Sequence, residues 1–203
     1  EWNMQWAGSV SKLGETLEAV ESGLSDTGAV VSAFEASKLV HKQYSYNLPF
    51  GSSDPLLVAR AGQKLYDKIP TFRTIYEERF NQKYVGGGGL TGSYNLITTF
   101  PLKTVDDLKG KKMAAAGPNI PWLTGTGAVP VQSNLNEAYT AFQTGVYEGW
   151  VMFNQSTVSF KLYEQAPYIT KVGFGCIDVC DITVNLDIWN GLPKEVQDIM
   201  LEV

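Results

Sequence analysis

The sequence has one histidine, His41, two cysteines, Cys176 and Cys180, and three arginines, Arg60, Arg73 and Arg79, in 203 residues. Each scarcity excludes something. A single histidine with no clustered ligands gives no metal-site pattern, so no metal is expected. There is no Gly-x-Ser-x-Gly elbow, His-Glu-x-x-His pair or phosphate loop, and so no recognisable nucleophile–base pair. Basic residues number 16 against 21 acids, for a net charge of −5 and a pI near 4.9. Nucleic acid needs a basic footprint and is excluded as a partner. No run approaches the roughly 18 apolar residues of a membrane-spanning helix, so no membrane insertion is expected. The cysteines define no compartment. On a straight strand their Cα atoms would lie about 13 Å apart, out of disulfide reach. Two buried thiols are the plainer reading; a bridge would need a tight turn between them.

What is present is enough hydrophobic content, 44%, for a real core, and one stretch around which the rest can be ordered. From Pro101, Thr104 reads as a cap with Asp107 three residues on, a capping box at a positively polarised helix start. Gly110 ends that turn, and Met113 to Ala116 reads as a small-residue strand reaching Gly117-Pro118-Asn119. Ala128 to Val131 is a second short apolar run. Asn134 or Asn136 then caps a helix through Gln143, Gly145 stops it, and Trp150 to Phe153 is a third strand. This alternation is the grammar of an α/β lobe.

The flanks read less evenly. Met4 to Ala7 reads as a strand remnant, Leu13 to Ser22 as an amphipathic helix and Ala29 to Phe34 as a strand. Glu35 to Phe50 is mixed and aromatic, an irregular loop. Asp54-Pro55 starts a helix to about Ile69. Pro70 opens another, with Phe72, Ile75, Tyr76 and Phe80 as a core stripe. Gly86 to Gly89 reads as a flexible connection, and Ser93 to Thr99 as a strand. Thr157 to Glu164 is helical, Tyr168 to Val184 supplies strands broken at Gly173 and Gly175, and Leu192-Pro193 starts a last helix. The arginines fall in the helices from Pro55 to Tyr84 and read as solvated faces.

Thr104 to Met113, then Gly127 to Val131, then Glu137 to Gly149 resembles the signature of DctP-type solute-binding proteins, the periplasmic receptors of TRAP transporters. The resemblance extends to Gly14–Gly23, Leu48–Pro55, Tyr168–Thr170 and Leu192–Gln197. It implies an α/β fold of two lobes with a hinged cleft between them: residues 1–100 in lobe I, 101–153 as the core of lobe II, 154–203 as return segments. Against the family pattern, the first strand and helix are expected ahead of Glu1 and the last helices after Val203. The implied role is that of a periplasmic, monomeric receptor that needs no cofactor and does no chemistry. It would capture a small organic ligand and deliver it to the small and large membrane permease subunits.

By the same resemblance, the usual member grips a carboxylate with an arginine where this chain has Ala114. A second arginine corresponds to Tyr94, and an asparagine to Met152. Alanine offers nothing in place of a bidentate, charge-assisted pair, so a simple aliphatic carboxylate is not the expected ligand. The pocket is expected to offer Tyr94, Asn119, Trp122, Trp150, Met152 and Phe153, with Phe34, Tyr44 and Tyr46 available from the first lobe. Glu35 with these rings would suit an ammonium ligand by cation–π contacts; an apolar slot with Asn119 or backbone N–H groups would suit an aromatic acid. Bland readings stand beside these. Trp122 and Trp150 serve equally as lobe packing, Glu35 as a solvated loop acid, and Glu148 as structure. Two other functions share the sequence: a sensor presenting its ligand to a receptor, and a carboxylate-based enzyme. Ala114→Arg is expected to create carboxylate affinity.

Overall fold

The computed structural model describes residues 3–5 and 8–202, so Trp6 and Ala7 of the expected strand remnant lie outside the described residues, and Met4 and Gln5 have no regular structure. In chain order the helices are α1 (Thr16–Glu21), α2 (Pro55–Lys68), α3 (Thr71–Phe80), α4 (Ala138–Gln143), α5 (Asn154–Ser159), α6 (Leu186–Gly191) and α7 (Lys194–Leu201). The strands are β1 (Thr27–Val31), β2 (Gln82–Leu90), β3 (Tyr94–Thr98), β4 (Lys112–Ala115), β5 (Val129–Gln132), β6 (Gly149–Phe153), β7 (Tyr168–Thr170) and β8 (Asp178–Asn185).

The chain folds into two compact units, one made of Glu1–Lys42, Ala59–Leu90 and Asp178–Val203, the other of Gln43–Val58 and Thr91–Ile177. This division departs from the expected boundaries at 100 and 153. Tyr94 to Thr98 pairs inside the second unit's sheet, while Asp178 to Asn185 returns to the first unit.

The first unit is built on a three-stranded sheet, order β1-β8-β2, with both neighbours antiparallel to β8. Helix α1 sits close on β1 through Gly28, where an added Cβ would lie 2.6 Å from Thr16 and 3.0 Å from Val20. The expected aromatic stripe of α3 is its buried face: Phe72, Ile75, Tyr76 and Phe80. Asp54 caps α2, its Oδ1 accepting from the N–H groups of Leu56 and Leu57.

The expectation for Gly86 to Gly89 fails: the run lies inside β2, paired with β8 through register shifts between Tyr84 and Gly86 and between Gly87 and Gly89. Glycines tolerate the unpaired residues of such bulges, which is why they concentrate there. Two further expectations were too long. The helix from Leu13 begins only at Thr16, and the strand from Ala29 gives way after Val31 to a 3-10 turn over Ser32–Phe34.

The second unit has a five-stranded sheet, order β5-β4-β6-β3-β7. β4 runs parallel to β5 and β6, and β3 antiparallel to β6 and β7. The capping box forms as expected, with Asp107 accepting from the Thr104 N–H at 2.8 Å. Glu148 is structural, as its bland reading had it: it pairs with Lys111 at 2.7 Å, and that hydrogen bond holds its carboxyl below the usual range. A side chain at Gly149 would force its neighbours to shift, because a Cβ there would lie 2.5 Å from the end of Met113 and 2.9 Å from the Thr98 methyl. The expected helix over Thr157 to Glu164 is α5 plus a 3-10 turn at Leu162–Glu164, separated at Lys161, which takes a left-handed φ of 52°. Both cysteines are free.

Candidate functional site

In the second unit β5, β4 and β6 run in parallel, so the chain leaves all three at one edge. Open parallel sheets collect ligands at that carboxyl edge, where loops rather than ladders fill the space. β3 runs the other way, so its first residue, Tyr94, stands opposite Phe153, the last of β6. Side chains alternate along a strand, and this divides the expected site residues between two faces.

On one face lie Trp150 and Met152, with Ala114 the register partner of Trp150 and Asn95 that of Met152. Ala114, Trp150 and Met152 are 0%, 1% and 4% exposed. Trp150 lies edge-on to Tyr147 at 5.5 Å, and Tyr147 edge-on to Phe142 of α4 at 4.8 Å. The Trp150 indole N–H is buried without a partner.

On the other face Tyr94 and Phe153 meet at 5.3 Å, and Trp122 stands edge-on to Tyr94 at 5.5 Å. Trp122 also stacks on Phe174 at 5.2 Å, and its indole N–H donates to the carbonyl of Tyr46 at 2.9 Å. Tyr94 is buried and hydrogen-bonded to Tyr46; burial first, then that neighbour, raises its phenol well above the usual range. Backbone bonds between Tyr94 and the Phe174–Gly175 segment, each 3.0 Å, hold Phe174 against the indole. Phe174 escaped the sequence reading; its signal is an aromatic between two positive-φ glycines, Gly173 and Gly175.

Asn119 and Trp122 share the 3-10 turn Gly117–Leu123 that follows β4. Three residues make one turn of a 3-10 helix, so side chains at i and i+3 point the same way. Asn119 is therefore on the side of that turn that carries Trp122 into the ring cluster. It is 0% exposed, and neither its Oδ1 nor its Nδ2 has a hydrogen-bond partner. Buried polar atoms are nearly always satisfied, which sets this amide apart.

Glu35 belongs to the first unit, immediately after the Ser32–Phe34 turn. It is not a solvated acid, being 3% exposed, and burial raises its pKa. One oxygen lies 3.1 Å from Lys38 Nζ, and the other is buried without a partner.

The first unit also holds a buried charge that sequence reasoning missed. Lys42 and Asp181 form an ion pair at 2.7 Å, with side-chain exposures of 1% and 3%. The ammonium lies 3.7 Å from the ring centre of Tyr66 and 5.1–5.4 Å from those of Tyr84, Tyr76 and Phe72. The Asp181 charge and the surrounding rings together hold it. The Tyr66 and Tyr76 hydroxyls donate to the two Asp181 oxygens at 2.6 and 2.8 Å. Burial lowers the Lys42 pKa, and Asp181 opposes that shift. Nearby, a cavity of about 560 Å³ is bounded by Gln63, Tyr66, Arg73, Glu77, Lys83 and Tyr84. Its cations are already committed, Arg73 to Asp67 at 2.6 Å and Lys83 to Glu77 at 2.7 Å, and Asp178 adds an acid to its wall. Among the described residues no group of three or more metal-ligating side chains forms, and no helix is long and apolar enough to cross a membrane.

Residues 5–203 match the family model described as bacterial extracellular solute-binding protein, family 7 (DctP). A curated solute-binding protein of Sulfitobacter sp. strain NAS-14.1 is 36% identical over 121 residues, 59% of this chain and 35% of that protein. Among solved structures, a TRAP periplasmic solute-binding protein from Sulfitobacter sp. NAS-14.1 with bound α-D-taluronate superposes with a TM-score of 0.76 at 27% identity. That match covers 96% of this chain and 63% of the other. A TRAP periplasmic solute-binding protein from Chromohalobacter salexigens with bound (S)-(+)-2-amino-1-propanol gives a TM-score of 0.80 at 20% identity, covering 97% and 62%. The chain thus spans about a third of the curated relative and less than two thirds of these structures. The α/β fold is that of the two-lobe periplasmic solute-binding proteins.

Proposed function

Because the chain belongs to the bacterial extracellular solute-binding proteins of family 7, we propose that it works as the periplasmic receptor of a TRAP-type transporter. It captures a small organic ligand and hands it to the membrane permease subunits as a monomer, without a cofactor and without chemistry of its own. The family and its neighbours are solute-binding receptors rather than enzymes.

The observation that carries the ligand reading is the make-up of the second unit's carboxyl edge. Tyr94, Trp122, Phe153 and Phe174 gather there, and all three arginines of the chain lie in the first unit. No guanidinium of that unit can grip a carboxylate, and Ala114 beside Trp150 leaves no charged substitute. Flat or apolar ligand surface is what these rings accept. The relatives' range, from a sugar acid to an amino alcohol, leaves room for such a change of specificity. Met152 stands beside that edge on the other face of β6, while Trp150 lies three residues back from the strand's end, packed against Tyr147.

The test is a thermal-shift screen of the full-length protein against aliphatic acids, amines, zwitterions, amides and aromatic acids. A hit raises the unfolding midpoint, by about 2.7 kcal/mol of stabilisation at a hundredfold excess over Kd. A hit among ring-bearing ligands that Trp122→Ala abolishes is the expected result. A tight aliphatic carboxylate would show that another group replaces the missing arginine and would overturn the ligand reading.

A further inference from the structure

We propose that Asn119 is the polar anchor of the bound ligand, and that the group it takes is a neutral one carrying a donor and an acceptor side by side: a carboxamide, lactam or urea-type head. This rests on the receptor reading above and goes further by naming the chemistry. Asn119 keeps both its amide oxygen and its amide nitrogen buried and without partners. A carboxylate would use only the N–H donors and leave the buried oxygen facing a like charge. An ammonium would use only the oxygen and leave the N–H groups unpaired. A second amide satisfies both at once, edge to edge, as amides pair with one another. Sites built around buried polar groups reject ligands that leave those groups unmatched, because the unmade bond costs the full desolvation of the group.

The position of Asn119 supports this. It lies one 3-10 turn before Trp122 and on the same side, so a head group bonded to it carries its flat body toward the indole. Trp122 in turn stands edge-on to Tyr94 and stacks on Phe174. No arginine belongs to this unit. Of its lysines, Lys109 and Lys111 pair with Asp106 and Glu148, and Lys103, Lys112, Lys161 and Lys171 are exposed, away from the buried amide. The recognition left to the site is hydrogen bonding by a neutral amide beside aromatic faces.

Three probes with one ring and three heads test it: benzamide, benzoate and benzylamine, titrated into the full-length protein and followed by Trp fluorescence and calorimetry. Benzamide is expected to bind at least tenfold more tightly than either charged probe. Asn119→Leu is expected to lower benzamide affinity about a hundredfold without lowering the urea midpoint. Asn119→Asp keeps the shape, loses the donors and is expected to shift preference to benzylamine; it keeps the test alive if the leucine variant does not fold. Unchanged benzamide affinity in Asn119→Leu overturns the proposal, since the amide then serves only a buried water. Preference of the native protein for benzoate or benzylamine, lost on Trp122→Ala, also overturns it while leaving the receptor reading intact. No response to the three probes together with a hit in the wider screen has the same meaning. Silence in both overturns the proposal and the receptor reading together.

Discussion

Each unit holds an aromatic cluster, and the two have opposite polar economies. In the first, Tyr66, Phe72, Tyr76 and Tyr84 close around the Lys42 ammonium, and both Asp181 oxygens receive tyrosine hydroxyls. Charge meets countercharge, and the cage supplies its own cation. In the second, among the described residues no cation lies over Tyr94, Trp122, Phe153 or Phe174, and the amide on the adjoining turn has neither donor nor acceptor engaged. The same residue types thus do two jobs. A cluster that satisfies itself is a piece of structure; one that leaves a buried amide unmatched is poised for something from outside.

The sharpest way to break this comparison is in the first cluster. Lys42→Met leaves the Asp181 carboxylate buried without its cation and is expected to cost about 3–5 kcal/mol, read as a fall in the urea midpoint. Adding Asp181→Leu, Tyr66→Phe and Tyr76→Phe removes the stranded charge and the hydroxyls that served it, and most of the loss should return. A cost below about 1 kcal/mol for Lys42→Met would mean that water already reaches the ammonium, and the cage could no longer be called self-sufficient.

Ala114→Arg comes next. From sequence alone this change is expected to create carboxylate affinity, but packing intervenes. Ala114 is 0% exposed and in register with Trp150, itself 1% exposed. A guanidinium there has no space and no countercharge, so the single variant is expected to lose about 3 kcal/mol by overpacking and charge burial. Ala114→Arg combined with Trp150→Ala vacates the indole volume, and that pair is the one expected to gain affinity for benzoate. Carboxylate binding by a stable single variant would show that the side chain escapes to the carboxyl edge, making the two faces of β6 one site.

How far all this was legible depended on how local the cause was. Helix starts were read correctly at Asp54-Pro55 and at the Thr104–Asp107 box, because a cap and its donors lie within three residues. The α3 stripe was read because its period is set by the helix itself. The glycine strand was not, since residues without side chains show no alternation to count. Helix α6 was also missed: Asn185, whose side chain accepts from the Asp187 and Ile188 N–H groups, directly ends β8 and gives no break in composition. Tyr94, Trp122 and Phe153 could be nominated one by one, but their meeting follows from the β3–β6 register and the turn after β4. The Lys42 cage draws on the turn at Val40–Tyr44, α2, α3, β2 and β8 together, and no spacing along the chain announces it.

The smallest expected effect concerns alkali, and it sharpens the comparison without touching a ligand. Tyr147, beside Trp150, has its phenol pushed up to about 12, burial raising it and the Ser133 hydrogen bond pulling it back. The unfolded chain's tyrosines lose their protons near 10. The folded pKa is the higher one, so this contribution is whole below about pH 10 and is lost as pH rises toward 12. In the first unit Tyr66 and Tyr76 are raised further, by burial and then by the Asp181 charge. Urea midpoints measured from pH 9 upward should therefore fall for the native protein. The fall should be shallower in Tyr147→Phe and shallower still in Tyr66→Phe, where the anionic neighbour no longer opposes ionisation. Equal slopes in the two variants would mean that Asp181 is screened from Tyr66 by water. The distinction between a closed ionic cage and a neutral ring cluster would then lose its electrostatic half.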